Sequence, residues 1–137
     1  LGNKFLYYEK KINKKFKEKQ IELKDKEEKL KKDKTGLSDL SYKNKLNFFK
    51  KEVLIVQKNY KNERSILNKS FQKIQKKIKD LLAQVIKDIS IKKKVNVVFL
   101  KENVFLFNNP SIDFTSEALD LFNKRTKSFK IIITPSD

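Results

Sequence analysis

One long pattern of apolar residues dominates the sequence between Ser38 and Lys93. Its members recur every three or four positions, except in one wider step that contains Glu63 and Arg64, and no proline or glycine interrupts them. This spacing places the side chains along one face of an α-helix. Globular helices average about a dozen residues, so a helix this long is predicted to pack as a coiled coil. The apolar positions are Leu46, Phe49, Val53, Val56, Tyr60, Leu67, Phe71, Ile74, Ile78, Leu81, Val85 and Ile89.

A shorter helix is predicted before it, over residues 4–34. Its apolar face is weaker because Lys19 and Lys26 interrupt it. This helix also carries pairs of opposite charges four residues apart, which are most simply explained as its solvated face. The apolar positions are Phe5, Ile12, Phe16, Leu23 and Leu30, and the charge pairs are Glu22–Lys26, Glu27–Lys31 and Glu28–Lys32.

The break between the two helices is predicted at residues 35–38. Gly36 suits the left-handed position that often ends a helix, and either Ser38 or Asp39 can cap the next one. So short a connection makes the helices antiparallel neighbours. Folding about residue 36 then sets an expected register in which Val56 faces Phe16.

This register leaves the apolar residues from Phe71 to Ile89 without a partner on the first helix. An exposed apolar stripe of several turns is expected to be an association surface. The chain lacks an initiator methionine, and we expect it to be a mature form or a fragment. Either other subunits or a preceding segment are expected to cover the stripe.

The pattern changes after three lysines at residues 92–94, which suit the end of a helix. Residues 95–100 and 104–107 are apolar runs separated by three polar residues, which predicts a β-hairpin covered on both faces. A turn at 108–111 leads to a short helix from Ser116 to about Lys124, capped by Thr115. Residues 131–133 are a further candidate strand.

The net charge of +17 is confined to the two long helices. Residues 1–34 carry 13 basic and 7 acidic residues, residues 35–94 carry 16 and 5, and residues 95–137 carry 5 and 5. A surface this basic attracts nucleic acid, anionic lipid or acidic protein. The lysines therefore have two interpretations: solvated flanks that keep a coiled coil in solution, or a functional surface for acidic partners.

No catalytic or metal-binding constellation stands out. The sequence contains neither cysteine nor histidine, which excludes thiol chemistry and the commonest general base. Its two glycines, Gly2 and Gly36, form no phosphate-binding loop. Asp113 and Thr115 more simply cap a helix than form an active site. We predict a protein that is not an enzyme, has no cofactor or metal, and lacks an apolar run long enough to span a membrane.

The C-terminal motifs resemble those of a known family. The runs at 95–100 and 104–107, the Asp-Phe-Thr at 113–115 and the helix at 117–123 resemble the end of the Skp (OmpH-like) periplasmic chaperones. The helix restart at Leu37-Ser38 is similar too, and the resemblance covers most of residues 10–124. It implies a periplasmic homotrimer in which a small β-barrel body carries three helical tentacles. Unfolded outer-membrane proteins would bind, without ATP, in the cavity that the tentacles enclose.

The expected fold is therefore mainly α with a small β part. Residues 1–94 would form a long antiparallel helical hairpin with its tip at 35–38, residues 95–124 an oligomerising β-hairpin and helix, and residues 125–137 a tail. Two departures from the family are noted. The family's first strand precedes residue 1, and the segment after Asn123 is longer than usual.

Two sets of functional residues are predicted. Phe48, Leu54 and Ile55 lie off the main stripe and are either exposed contacts for a client protein or a second packing face. The client-binding set is Lys43, Lys45, Phe48, Lys50, Lys51, Leu54, Lys58 and Lys61. The oligomerisation set is Phe71, Ile78, Leu82, Val85, Val97, Phe99, Phe105 and Phe107.

Three functions are considered. The first is a holdase chaperone whose basic helices attract acidic unfolded outer-membrane proteins and whose apolar side chains hold them weakly. The second is a nucleic-acid-binding protein, although arginine, which reads bases bidentately, is nearly absent. The third is a coiled-coil spacer, which leaves the C-terminal motifs unexplained. Anionic lipid or lipopolysaccharide is a candidate second ligand.

Overall fold

The computed structural model describes residues 2–129, which form three helices joined by turns. The helices are α1 (Gly2–Asp33), α2 (Asp39–Lys93) and α3 (Thr115–Thr126). Single 3₁₀ turns occur at Lys34–Gly36, Lys101–Asn103 and Pro110–Ile112. The two long helices and the break between them are confirmed. The candidate strand at 131–133 lies outside the described residues.

The described residues form two compact units, one of residues 2–71 and one of residues 72–129. We call them the hairpin unit and the C-terminal unit. The hairpin unit contains α1, the tip and the first part of α2. The C-terminal unit contains the rest of α2 and α3.

Aromatic pairs set the alignment of α1 against α2 in the hairpin unit. The rings of Phe16 and Tyr60 stack with their centroids 4.0 Å apart, and the Phe5 ring lies 4.6 Å from that of Phe71. The helices are antiparallel as predicted. Their register, however, differs by about one helical turn from the expected one, in which Phe16 faced Val56. For the same reason, the prediction that Phe71 has no partner on the first helix is wrong.

The conformation of the tip accounts for this change in the register of α1 against α2. Residues Lys34–Gly36 continue α1 as a 3₁₀ turn, so the chain reverses at Leu37 and Ser38 rather than at Gly36. Gly36 does not take the predicted left-handed conformation, since its φ is not positive. Ser38 does cap α2: its Oγ accepts a hydrogen bond from the Ser41 amide at 3.3 Å.

The wide step in the α2 pattern is filled by ion pairs across the hairpin. The Glu63 carboxylate lies 2.8 Å from the Lys15 ammonium, and the Arg64 guanidinium lies 3.2 Å from Glu9. Polar residues stand at these positions because they contact charged partners on α1. At these two positions the helices are therefore held together by ion pairs instead of apolar packing.

Two further polar contacts cross between α1 and α2. The Tyr60 hydroxyl donates to Asn13 Oδ1 at 2.9 Å and accepts from Arg64 at 3.2 Å. Lys26, which interrupts the apolar face of α1, reaches Glu52 on α2 at 2.9 Å. The interruption in the first stripe is thus matched by a carboxylate on the second.

Helix α3 covers part of the apolar stripe in the C-terminal unit. Val85 and Ile89 are buried against Ala118. The partly buried residues around this core are Phe114, Leu121 and Phe122. The stripe was expected to be covered by other subunits or by a preceding segment. At Val85 and Ile89 the cover is instead the apolar side of α3.

Two ion pairs join α3 to the end of α2. Arg125 lies 2.6 Å from Asp88, and Lys93 lies 3.0 Å from Glu117. The chain has two arginines, Arg64 and Arg125, and each bridges α2 to another helix within its own unit.

The predicted β-hairpin is not formed, and no strand occurs among residues 2–129. The backbone at Leu100 and Val104 is extended, but the 3₁₀ turn between them replaces cross-strand pairing. Side chains expected to be covered, such as Phe99 and Phe105, are exposed. An isolated two-stranded hairpin is at best marginally stable without more strands or a covering layer. The expected small β part is therefore corrected to an extended, unpaired segment.

Helix α2 ends with Lys94 in the left-handed conformation, at a φ of 56°. The Val95 amide donates to the Ser90 carbonyl at 2.9 Å, and the Lys94 amide donates to the Ile91 carbonyl at 3.2 Å. This is the Schellman arrangement that glycine favours. A lysine Cβ is crowded by the backbone in this conformation, so the position is strained.

Replacing Lys94 by glycine should stabilise the protein by about 1 kcal/mol, because glycine adopts a positive φ without that crowding. The measurement is the free energy of unfolding from chemical denaturation. Lys92→Gly, inside the last turn of α2, is the control and should destabilise by about 1 kcal/mol. A Lys94→Gly variant less stable than the wild type would contradict the strain.

Candidate functional site

The predicted client-binding lysines are all exposed on α2 in the hairpin unit. We call the six together the basic surface: Lys43, Lys45, Lys50, Lys51, Lys58 and Lys61. Lys45 makes a long contact of 4.0 Å with Asp33. The other five form no ion pair with any residue between 2 and 129. Most of this charge is therefore available to attract an acidic partner.

Several lysines of α1, by contrast, are paired with carboxylates. The pairs are Lys15–Glu63, Lys19–Glu22, Lys26–Glu22, Lys26–Glu52 and Lys31–Glu27. Of the predicted pairs four residues apart, Glu22–Lys26 and Glu27–Lys31 are formed, whereas Glu28–Lys32 is not. The charge of α1 is therefore more fully compensated within the chain than that of α2.

Lys26 is the most strongly engaged of the α1 lysines. Its ammonium lies 2.9 Å from Glu52 and 3.4 Å from Glu22. The hydrogen bond to Glu52 raises the pKa of Lys26, and the hydrogen bond from Lys19 lowers the pKa of Glu22. These groups stay charged at neutral pH, so the contact between the two helices is ionic under ordinary conditions.

The apolar residues that accompany the basic surface are also exposed. Phe48 is 66% exposed, Leu54 64% and Ile55 57%. Within the chain they are therefore exposed side chains and not a second packing face. Large apolar groups beside free positive charge can contact both the apolar and the acidic side chains of a partner.

An open groove of about 480 Å³ lies between α1 and α2 near the tip, and we call it the tip groove. The buried Leu30 and the half-buried Phe49 form its floor, and the exposed Phe48 forms part of its rim. The polar residues that line it are Lys26, Lys29, Asp33, Asn44, Lys45 and Glu52.

The tip groove brings together only two of the predicted client-binding residues, Phe48 and Lys45. The sequence analysis missed Lys29 and Leu30, which line the groove from α1. No local motif marks these two residues. Only the correct register of α1 against α2 places them opposite Phe48.

The predicted oligomerisation residues differ in how far their side chains are buried. Phe71 is engaged by Phe5, and Val85 lies in the core under α3. Ile78 and Phe107 are half-buried. The exposed members are Leu82, Val97, Phe99 and Phe105.

Residues 95–106 expose most of their apolar side chains, and we call them the apolar segment. The exposed side chains are Val95, Val97, Val98, Phe99, Leu100, Phe105 and Leu106. So many exposed apolar groups in one stretch are typical of an association surface.

The Asp113 carboxylate ties the apolar segment to the start of α3. It lies 2.8 Å from the Lys101 ammonium and accepts from the Thr115 amide at 3.0 Å and the Thr115 hydroxyl at 2.6 Å. These hydrogen bonds, that of Lys101 foremost, hold the pKa of Asp113 well below its usual range. Thr115 is therefore the first helical residue rather than the predicted cap, because Asp113 satisfies its amide in an Asx turn.

Residues 2–129 offer neither a metal site nor a membrane-spanning helix. They hold no group of three or more side chains suited to binding a metal ion. None of their helices combines the length and the apolar character needed to cross a membrane.

Comparison with known proteins identifies a protein family. The family model described as outer membrane protein (OmpH-like) matches residues 3–122. No curated protein matches the chain, and no solved structure does. The matched residues include α1, α2, the apolar segment and most of α3.

Acid should weaken the start of α3 through Asp113. The folded pKa of this carboxyl lies below the unfolded value of about 4, so its stabilisation is complete above about pH 4 and is lost as the pH falls through the folded pKa. Asp113→Asn should lower the thermal midpoint at pH 7, and its difference from the wild type should shrink below about pH 4.

The control for this measurement is Asp120→Asn, which makes the same charge change within α3. Thermal melting of the three proteins between neutral and acidic pH gives the comparison. A difference between Asp113→Asn and the wild type that stays constant with pH would show that the Asp113 charge is not what stabilises this turn.

Proposed function

This chain belongs to the OmpH-like outer membrane protein family, and we propose that it is a periplasmic holdase chaperone for unfolded outer-membrane proteins. The family match supports the class of function. The observation that carries the mechanism is the basic surface, whose charge is largely unpaired and lies beside exposed apolar side chains. We propose that the protein acts without ATP and without catalysing a reaction.

Capture would proceed in two physical steps. Unpaired lysines attract an acidic unfolded chain over roughly a Debye length, about 8 Å in physiological salt. Exposed apolar residues such as Phe48 and Leu54 then contact its apolar side chains. Charge attraction acts mainly on the rate of encounter, whereas short-range contacts decide the rate of release. Individually weak contacts suit a partner that must later leave and fold.

The client cavity would be built by association of three copies. The apolar segment and Leu82 present exposed apolar groups, which supports their role in joining subunits. Phe71 and Val85 already contact residues of their own chain. The surface proposed between subunits is therefore narrower than the full set predicted from the sequence, and it centres on Val97, Phe99 and Phe105.

The unpaired lysines of α2 also favour a second candidate, binding to a phosphate polyanion such as nucleic acid, anionic lipid or lipopolysaccharide. Against sequence-specific binding of nucleic acid, both arginines are engaged in ion pairs. The chaperone proposal is therefore preferred, and polyanion binding is one outcome of its test.

Reversing Lys50, Lys51, Lys58 and Lys61 to glutamate should slow association with an acidic, urea-unfolded outer-membrane β-barrel by about tenfold or more at low salt. Added salt should reduce the difference. Dissociation should change less, because the exposed apolar contacts remain. Stopped-flow fluorescence at two salt concentrations separates the two rates.

The matched control reverses four exposed lysines of α1, Lys10, Lys11, Lys14 and Lys17, which changes the net charge equally. A smaller effect on association locates steering on α2, whereas an equal effect would assign it to net charge alone. Association insensitive to salt and to both reversals would refute steering. Tighter binding of duplex DNA than of the client at physiological salt would favour the polyanion function.

Val97→Asp or Phe105→Asp should dissociate the assembly, because each places an unpaired charge in the proposed interface at a cost of several kcal/mol. The measurement is the solution mass by sedimentation together with thermal melting. Leu40→Asp, which changes an exposed apolar residue of the hairpin unit, is the control and should leave the mass unchanged. If mass and melting are unaltered in all three variants, the apolar segment does not join subunits.

A further inference from the structure

The tip groove differs from the rest of the basic surface in having a floor. Leu30 is buried and Phe49 is half-buried beneath it, while Phe48 stands exposed at its rim. Its volume is about 480 Å³, and because the groove is open, a bound side chain would stay partly exposed to water. An aromatic or aliphatic side chain placed there would lose water against Leu30 and could stack on the Phe48 ring.

The charges around the groove are mixed, and their balance limits what can bind. Glu52 is neutralised by Lys26 at 2.9 Å, and Asp33 is partly neutralised by Lys45 at 4.0 Å. Lys29 makes no ion pair with the residues between 2 and 129, so the lining carries one surplus positive charge. This one surplus positive charge can pair with one carboxylate of a bound partner.

The two carboxylates of the lining argue further for a polypeptide. Because Glu52 is paired with Lys26 and Asp33 with Lys45, the lining offers only one surplus positive charge to a densely charged phosphate surface. The two carboxylates can instead accept hydrogen bonds from the backbone amides of an extended peptide, and Asn44 can donate to its carbonyl groups. A lipid headgroup or a nucleic-acid backbone offers no row of amide donors to these acceptors.

We infer that the tip groove is a subsite for an unfolded protein segment in which an aromatic residue is adjacent to an acidic one. The aromatic ring lies on Leu30 and Phe49 beside Phe48, and the carboxylate pairs with Lys29. This inference rests on the proposed chaperone function for its class of partner. It adds a localised anchoring point to a surface that otherwise attracts clients without a defined position.

The test uses the full chain and a fluorescent synthetic peptide in which phenylalanine and aspartate alternate, with binding followed by anisotropy. Phe48→Ala should weaken binding about tenfold, the loss of one good aromatic contact. Leu40→Ala, at a similar exposure of 70% but outside the groove, should change it by less than about twofold. Both side chains are exposed, so neither truncation should unfold the protein, and circular dichroism verifies this.

A second pair of variants tests the charge. Lys29→Ala should weaken binding about threefold to fivefold, whereas Lys32→Ala, on the same helix but outside the groove, should have less effect. Replacing the aspartates of the peptide by lysine, or its phenylalanines by serine, should abolish binding to the wild type. Equal effects of Phe48→Ala and Leu40→Ala would overturn the inference, as would binding that is insensitive to both lysine variants.

Failure of the subsite is distinguishable from failure of the proposed function. If the wild type suppresses aggregation of an unfolded outer-membrane protein but peptide binding ignores Phe48, the subsite is wrong and the chaperone function stands. If peptide binding requires Phe48 but aggregation is not suppressed, the groove recognises peptides outside a chaperone cycle. If vesicles of anionic lipid bind in a manner that requires Phe48 and the peptide does not bind, the groove is a membrane contact and the inference is overturned.

Discussion

The contact that Tyr60 makes with α1 fixes the register of the two helices in the hairpin unit. Its ring stacks on Phe16, and its hydroxyl joins Asn13 on α1 to Arg64 on α2. An apolar stripe alone can slide by one turn at little cost, because one aliphatic residue replaces another. A tyrosine whose ring and hydroxyl both have partners on α1, Phe16 and Asn13, satisfies both in a single register. That register also places Leu30 opposite Phe49, so the tip groove depends on it.

The same alignment explains why α2 is the basic helix. Glu52 and Glu63 face α1, where they pair with Lys26 and Lys15. Asp88 is paired with Arg125 of α3 in the same way within the C-terminal unit. Three of the five carboxylates of α2 are therefore directed at neighbouring helices and do not compensate its exposed lysines. One face of α2 carries the carboxylates that pair with neighbouring helices, and the other carries unpaired lysines. This arrangement follows from helix pairing as much as from composition.

Features that depend on local chemistry were predictable from the sequence. The spacing of apolar residues predicted both long helices, Ser38 was among the predicted caps, and the pattern after Asp113 predicted α3. The register was not predictable, because it depends on a 3₁₀ turn that a glycine at the tip does not reveal. The same is true of the cover that α3 gives to Val85 and Ile89, which arises between segments far apart in sequence.

In the apolar segment, by contrast, a prediction made from local residue preferences was wrong. Its residues have high β propensity, yet propensity describes how a side chain fits a sheet and supplies no neighbouring strand. Of the proposed client-binding residues, the exposure of the lysines could be predicted from their places off the stripe, whereas for Phe48 the same position left open a second packing face. The grouping of Phe48 with Lys29 and Leu30 could not be predicted, since it requires the alignment of two helices.

The two arginines have a consequence for how the basic surface behaves. Both are committed to ion pairs between helices, so the basic surface consists of lysine alone. A guanidinium sheds water easily, stacks on rings and grips carboxylates in a fixed geometry, whereas an ammonium keeps its hydration shell and turns freely on a flexible stem. Arginine is thus found where the molecule must keep one geometry. Lysine is found on the surface that we propose contacts clients, where a hydrated and flexible group can release one partner and take another.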